Sequence, residues 1–150
     1  MEEKHEPSLS IKMIDANRPE ALEDAFYIRR EVFIKEQNVP EEEEIDELDL
    51  KAHHVVVYAN ARPVATGRLV QNGKSCLIGR ICVLNESRGK QIGKLVVEKL
   101  LEKAAEIKAK EVHVHAQTHA VSFYEKLGFT PYGDTYLESN IKRVSMVKTL

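Results

Sequence analysis

The chain has 150 residues, 43% hydrophobic and 31% charged, which suits one soluble globular domain large enough to bury a core. Its net charge is −2, so no global basic surface calls for nucleic acid or an anionic membrane. The opening "MEEKHEPSLS" is polar and acidic, unlike a secretory or transit peptide, and no apolar run is long enough to span a bilayer.

Residues 1–8 read as a flexible tail and 9–150 as one domain. "LSIKMI" (Leu9 to Ile14) alternates apolar and polar residues, the period of a strand. "PEALEDAFYIRREVFIKEQ" follows with helical spacing through Leu22, Phe26, Ile28, Val32 and Phe33, and Asn38 and Pro40 end it. Three strand-like runs come next, Val55–Tyr58, Val64–Val70 and Leu77–Leu84, with Asn72-Gly73 as a hairpin signal between the last two. A long amphipathic helix covers about Gly93 to Ala109, its stripe made by Ile92, Leu95, Val96, Leu100, Ala104 and Ile107. "EVHVHAQ" reads as a strand, "HAVSFYEKLG" as a short helix and "RVSMVKTL" as a last strand. The order β-α-β-β-β-α-β-α-β describes a single mixed α/β domain. Cys76 and Cys82 make no disulfide framework, and free thiols suit a reducing cytoplasm.

"RGKQIGK" (Arg88 to Lys94) sets three cations and two glycines between a strand and the long helix. Unsatisfied N–H groups and the dipole at such a helix start form an anion site, and the cations add charge-assisted hydrogen bonds. Two phosphate loops are excluded. A Walker loop has four residues between its glycines and a Ser or Thr after the Lys, whereas here three intervene and Leu95 follows. The Gly-x-Gly-x-x-Gly dinucleotide fingerprint is absent.

The same stretch resembles the pyrophosphate loop of the GNAT superfamily of acetyl-CoA-dependent N-acetyltransferases, Arg/Gln-x-x-Gly-x-Gly/Ala. Arg88 and Gly93 take its first and last positions, and Gln91 stands where the first Gly is expected. "AQTHAVSFYEKLGFTPYG" resembles the second GNAT block. "FYIRREVFIKEQNVPEEEEIDELDLKAHHVV" and "GDTYLESNIKRVSM" resemble the N- and C-terminal blocks of the small bacterial ElaA and YjcF branch. There the usual Ile-Pro-His is replaced by Ile141-Lys142-Arg143, so no role of that His is carried over.

The resemblance implies the GNAT fold, a central mixed and mostly antiparallel sheet flanked by helices. It implies acetyl-CoA as cosubstrate, held by backbone groups of Arg88, Gly89, Lys90, Gln91, Ile92, Gly93 and Lys94. Main-chain groups of Ile81, Cys82 and Val83 would pair with the pantetheine arm as an added strand does. It implies Tyr124 as the acid that protonates the leaving thiolate. Tyr124 also falls at helical spacing with Ala120, Phe123 and Leu127, so a packing role is the alternative.

"EEEEIDELD" holds seven acids in nine residues, either a solvated face or an acidic mouth for a cationic amine. Glu36, Asp46, Asp49 and His54 are the candidates for contacting the amine or taking its proton. His113 and His115 alternate on a strand that already has a place in the fold, so they read as structural or polar-face residues, and no metal is expected. The sequence points to transfer of an acetyl group to a small-molecule or peptide amine, with sheet-edge homodimers common in the resembled family. The rival is a non-catalytic GNAT module that binds CoA.

Overall fold

The computed structural model describes residues 8–150. Of the tail expected over residues 1–8, residues 1–7 lie outside that range. Ser8, just before the first strand, is held in place and is not a free tail: its N–H donates to Asn60 Oδ1 at 3.1 Å, and its carbonyl accepts from the Asn60 N–H at 2.9 Å.

Seven strands form one sheet: β1 Leu9–Ile14, β2 His53–Ala59, β3 Arg62–Asn72, β4 Ser75–Val83, β5 Glu111–Gln117, β6 Thr130–Glu138 and β7 Ile141–Thr149. Their order is β1-β2-β3-β4-β5-β7-β6, and every neighbouring pair is antiparallel except β4–β5. That parallel pair is joined by the long crossover helix α3, as parallel strands require. The helices are α1 Glu23–Arg29, α2 Glu41–Glu44, α3 Ile92–Glu106 and α4 Val121–Glu125.

The alternation in "HHVVVYA" divides the two cores. Val55 and Val57 face α3, where they join Leu69, Ile78, Val96 and Leu100. Val56 faces α1 and joins Ile28, Val32, Phe33 and Cys82. Burying each such side chain is worth roughly 1.5–3 kcal/mol, so α1 and α3 are held to opposite faces mainly by these contacts. Gly67 on β3 lets α3 approach closely. A Cβ there would stand 2.7 Å from Val96 Cγ1 and 3.0 Å from Leu100 Cδ1.

Three differences from the sequence expectation concern the site. The α1 pattern does not continue as one α-helix, because Arg30–Glu36 is wound as a π-helix. Its wider turn keeps consecutive Val32 and Phe33 both buried. The sequence reading lacks β6, whose first six residues are exposed and therefore carry no apolar alternation. Finally, α3 stops at Glu106 rather than Ala109, with Lys108 in the left-handed region at φ 64°.

Candidate active site

Strands β4 and β5 pair only from Ser75–Glu111 to Ile78–Val114 and then part. The cause lies in β4. Thr66 pairs with Cys82 and Arg68 with Gly79, so Arg80 and Ile81 share the space opposite one β3 residue. Arg80 takes φ 53° to make this bulge. The bulge re-aims the end of β4, and the β4 edge from Gly79 to Val83 is left without a β5 partner.

A cleft of about 600 Å³ fills the gap. Ile81, Cys82 and Val83 line it on one side, Val114, His115 and Gln117 on the other. The π-wound segment closes one end with Glu36 and Gln37, while Gly93 and Tyr124 line the other side of the sheet. A smaller groove of about 230 Å³ adjoins it and shares Gly79, Arg80, His115, Glu138 and Arg143.

The start of α3 opens toward this cleft through Gly93. Its first backbone rung is Leu95 N–H to Gln91 O at 3.3 Å, so the N–H groups of Ile92, Gly93 and Lys94 precede the intrahelical ladder. No side chain caps them, and the first turn carries no acidic residue. Gln91, the N-cap, has φ 61° and ψ 21°, the left-handed conformation that favours glycine. Its side chain points to solvent, and Gly89 beside it has φ 79°. A Cβ on Gly93 would make ordinary contact, 3.7 Å from Phe123 Cζ, so that glycine supplies bare backbone rather than relief from a clash.

The Arg88 side chain turns back from the loop. Its Nε donates to the Val83 carbonyl at 2.9 Å and its Nη2 to Glu36 Oε1 at 2.9 Å. Tyr124 is buried between Phe123 and Phe129, with ring centroids 5.0 and 5.7 Å away in edge contacts. Burial pushes its hydroxyl well above the usual phenol range, against a small downward pull from the Arg143 cation. The hydroxyl stays protonated at working pH and donates to none of the described residues.

The acidic run is not a solvated face throughout. Asp49 lies in the interior, where its carboxylate accepts from Arg29 Nη1 at 2.6 Å, Arg29 Nη2 at 3.1 Å, Arg68 Nη1 at 2.8 Å and the Asp46 N–H at 3.0 Å. Burial alone would raise this carboxyl, but the Arg29 hydrogen bonds and charge, with Asp46 N–H and Arg68, hold it at about 2. Asp46 accepts from Arg68 and Arg80, while Glu44 takes Arg29 Nε at 2.5 Å. Burial raises the Glu44 carboxyl despite Arg29 and Arg80. Three arginines thus meet three carboxylates under α1.

The candidate acceptor residues therefore separate. Glu36 lines the main cleft, and Asp46 only the side groove. Asp49 and His54 line neither; His54 is buried, its Nε2 is 2.9 Å from the Asp49 carbonyl, and burial lowers its basicity. His115, Glu138 and Arg143, which the sequence reading did not nominate, sit where cleft and groove join. Only their strand parity could have hinted at it. Among the described residues, no group of three His, Cys, Asp or Glu is gathered to hold a metal ion, and no helix is long and apolar enough to cross a membrane.

The family model of the acetyltransferase (GNAT) domain matches residues 14–150. The chain belongs to the GNAT acetyltransferase family. It is 41% identical over 139 residues to YjcF of Bacillus subtilis, an uncharacterized N-acetyltransferase, covering 92% of this chain and 99% of that one. Among solved structures it is similar to an acyl-CoA N-acyltransferase from Pseudomonas aeruginosa, with TM-score 0.86, 27% identity, and coverage of 95% and 100%. Escherichia coli ElaA gives TM-score 0.84 and 26% identity, covering 94% of this chain and 99% of that one. The GNAT fold implies use of acyl-CoA, and the residues here fit it. The family's cosubstrate brings a pyrophosphate and an extended arm with amide groups. This chain offers uncapped N–H groups without acidic neighbours, and an unpaired strand edge beside them.

Proposed function

We propose that this protein moves an acetyl group from acetyl-CoA to an amine by direct attack in a ternary complex. The observation that carries the reading is the parting of β4 from β5 beyond Ile78 and Val114, beside the uncapped start of α3. Acetyl-CoA supplies an activated thioester. The backbone from Arg88 to Lys94 binds its pyrophosphate, and the free edge at Ile81, Cys82 and Val83 aligns its arm. Such alignment makes the reaction effectively unimolecular. Arg88 tethers the Val83 carbonyl and Glu36 rather than reaching forward as a charge.

An ammonium acceptor must lose one proton before attack and a second as the C–N bond forms and the C–S bond breaks, while the departing sulfur must gain one. Tyr124, kept neutral by burial, gives the sulfur its proton and regains one from the acetylated nitrogen. His115, whose Nδ1 lies 3.6 Å from Glu138 Oε2, takes the first, directly or through water. Asp49 has no lone pair left for this task. The acceptor is a small molecule or peptide amine, the assembly a homodimer through a sheet edge, and the compartment a reducing cytoplasm, consistent with free Cys76 and Cys82.

The test is a thermal shift with acetyl-CoA followed by thiol release on a panel of amines. Stabilisation with turnover supports the enzyme; stabilisation without turnover on any amine favours a CoA-binding module. Equal stabilisation by acetyl-CoA and by pantetheine, which lacks the pyrophosphate, shows that the α3 start is not the anchor.

A further inference from the structure

Much of the acidic charge expected at the mouth is paired, although Glu43 lines the cleft with no ion pair among the described residues. Glu44, Asp46 and Asp49 are answered by Arg29, Arg68 and Arg80. Glu36, at the end of the cleft, is answered by Arg88. Where the cleft and the side groove join, the Arg143 cation stands with His115 and the Glu138 carboxylate. Arg143 makes no ion pair among the described residues, and its one hydrogen bond runs from Nη1 to the His115 carbonyl at 3.0 Å. Its Nε is buried without a partner.

With Nη1 used and Nε buried, Nη2 is the guanidinium nitrogen that makes no hydrogen bond among the described residues and is not buried. From there it can donate a charge-assisted hydrogen bond to a carboxylate. Glu138 lines both cavities but turns to His115 rather than to Arg143. Tyr136, directly across the β6–β7 pair from Arg143, also buries a hydroxyl that has no partner. A partly buried cation beside a second unmet donor asks for acceptor oxygens, and the described residues do not supply them.

We propose that the acceptor amine also carries a carboxylate, which Arg143 binds where the cleft meets the side groove. This rests on the acetyltransferase reading and narrows its substrate to amino carboxylates, away from polyamines. Such a substrate would lie with its acid on Arg143 and its amine toward the cleft, near Tyr124.

The experiment compares free amino acids with their carboxamides, and with a polyamine, as acceptors for wild type, Arg143→Gln and Arg143→Lys. Calorimetry of the same compounds against the CoA-loaded protein runs in parallel. Carboxylates should exceed matched amides by about 10- to 100-fold in kcat/KM, carried mainly by KM, because a hydrogen bond to a buried charge is at stake. Arg143→Gln should erase that preference, and Arg143→Lys should keep part of it. Thermal stabilisation by acetyl-CoA should be equal in all three proteins. A preference for amides or the polyamine, or a carboxylate preference that survives Arg143→Gln, overturns the proposal. So does the absence of carboxylate-dependent binding and turnover, even if acetyl-CoA stabilises the protein. Failure of that stabilisation would instead count against the acetyl-CoA reading.

Discussion

Arg80 and Glu44 meet at two points. Arg80 Nε donates to the Glu44 main-chain oxygen at 3.0 Å and stands 3.0 Å from Glu44 Oε2. Its Nη2 reaches the Glu43 carbonyl at 3.1 Å and Asp46 Oδ2 at 3.3 Å. The residue that makes the β4 bulge therefore also fastens the acidic segment over the sheet. One side chain links the opening of the cleft to the segment packed beside it.

Arg80→Gly separates these two roles. Glycine accepts φ near +53° more readily than arginine, so the bulge should persist while the clamp is lost. We expect a loss of about 1–3 kcal/mol in urea unfolding, since the bonds are charge-assisted and partly buried. Amide exchange in Glu41–Asp49 should quicken more than in β2 or β3. Unchanged exchange there would mean that Arg29 and Arg68 secure the segment without Arg80.

Asp49 gives the fold an acid-labile element. Its carboxyl is at about 2 in the folded protein and near 3.8 in the unfolded chain. A depressed folded value means that the contribution is full above about 4 and is lost as pH falls toward 2. Glu44, shifted upward by burial, works in the opposite sense. Asp49→Asn should be less stable than wild type at pH 6, because Arg29 and Arg68 lose a buried partner. The gap between the two proteins should narrow from pH 4 to pH 2. A gap that stays constant across that range would place the acid sensitivity elsewhere.

Much of this architecture was legible. The alternation of "HHVVVYA" and "EVHVHAQ", the Asn72-Gly73 turn and the α3 stripe all report local burial, which a periodic sequence records. The GNAT blocks named the family. The arginine–carboxylate network was not legible, because Arg29 on α1, Arg68 on β3 and Arg80 on β4 are brought to one acidic segment only by the folded chain. Only the fold shows that Glu41, Glu44, Asp46 and Asp49 of "EEEEIDELD" are paired with arginines. Strand β6 escaped notice because Pro131, Gly133 and its exposed start suppress the pattern, and the register shift between Tyr132 and Tyr136 interrupts its pairing. With β6 missing, the neighbourhood of Tyr136, Glu138 and Arg143 could not be assembled.

Gln91 is the departure from the GNAT loop pattern, and its φ of 61° supplies a physical reason for the usual glycine. A non-glycine residue in that region carries about 1–2 kcal/mol of strain, against the larger chain entropy that glycine loses on folding. Gln91→Gly should therefore raise the melting temperature slightly or leave it unchanged. Acetyl-CoA affinity should rise or hold, because the exposed side chain leaves an approach path to the pyrophosphate. A substantial fall in affinity, measured by calorimetry, would show that the Gln91 side chain itself holds the ligand.

Tyr124 provides the sharpest test of mechanism. Its ring is packed between Phe123 and Phe129, and its hydroxyl makes no hydrogen bond to the described residues, so Tyr124→Phe removes an oxygen on which no described contact depends. Melting temperature and acetyl-CoA affinity should hardly change. Turnover on a good acceptor should fall by roughly 10²–10⁴-fold if the hydroxyl protonates the leaving sulfur. Because burial raises the phenol well above its ordinary range, the alkaline fall of the wild-type rate should not coincide with ordinary tyrosine ionisation. With single-turnover measurements showing that chemistry limits the rate, wild-type turnover in Tyr124→Phe would make the residue a packing element. The sulfur would then take its proton from water or from the acceptor amine. A fall in turnover confined to kcat, with folding and binding intact, is the outcome that assigns the proton to Tyr124.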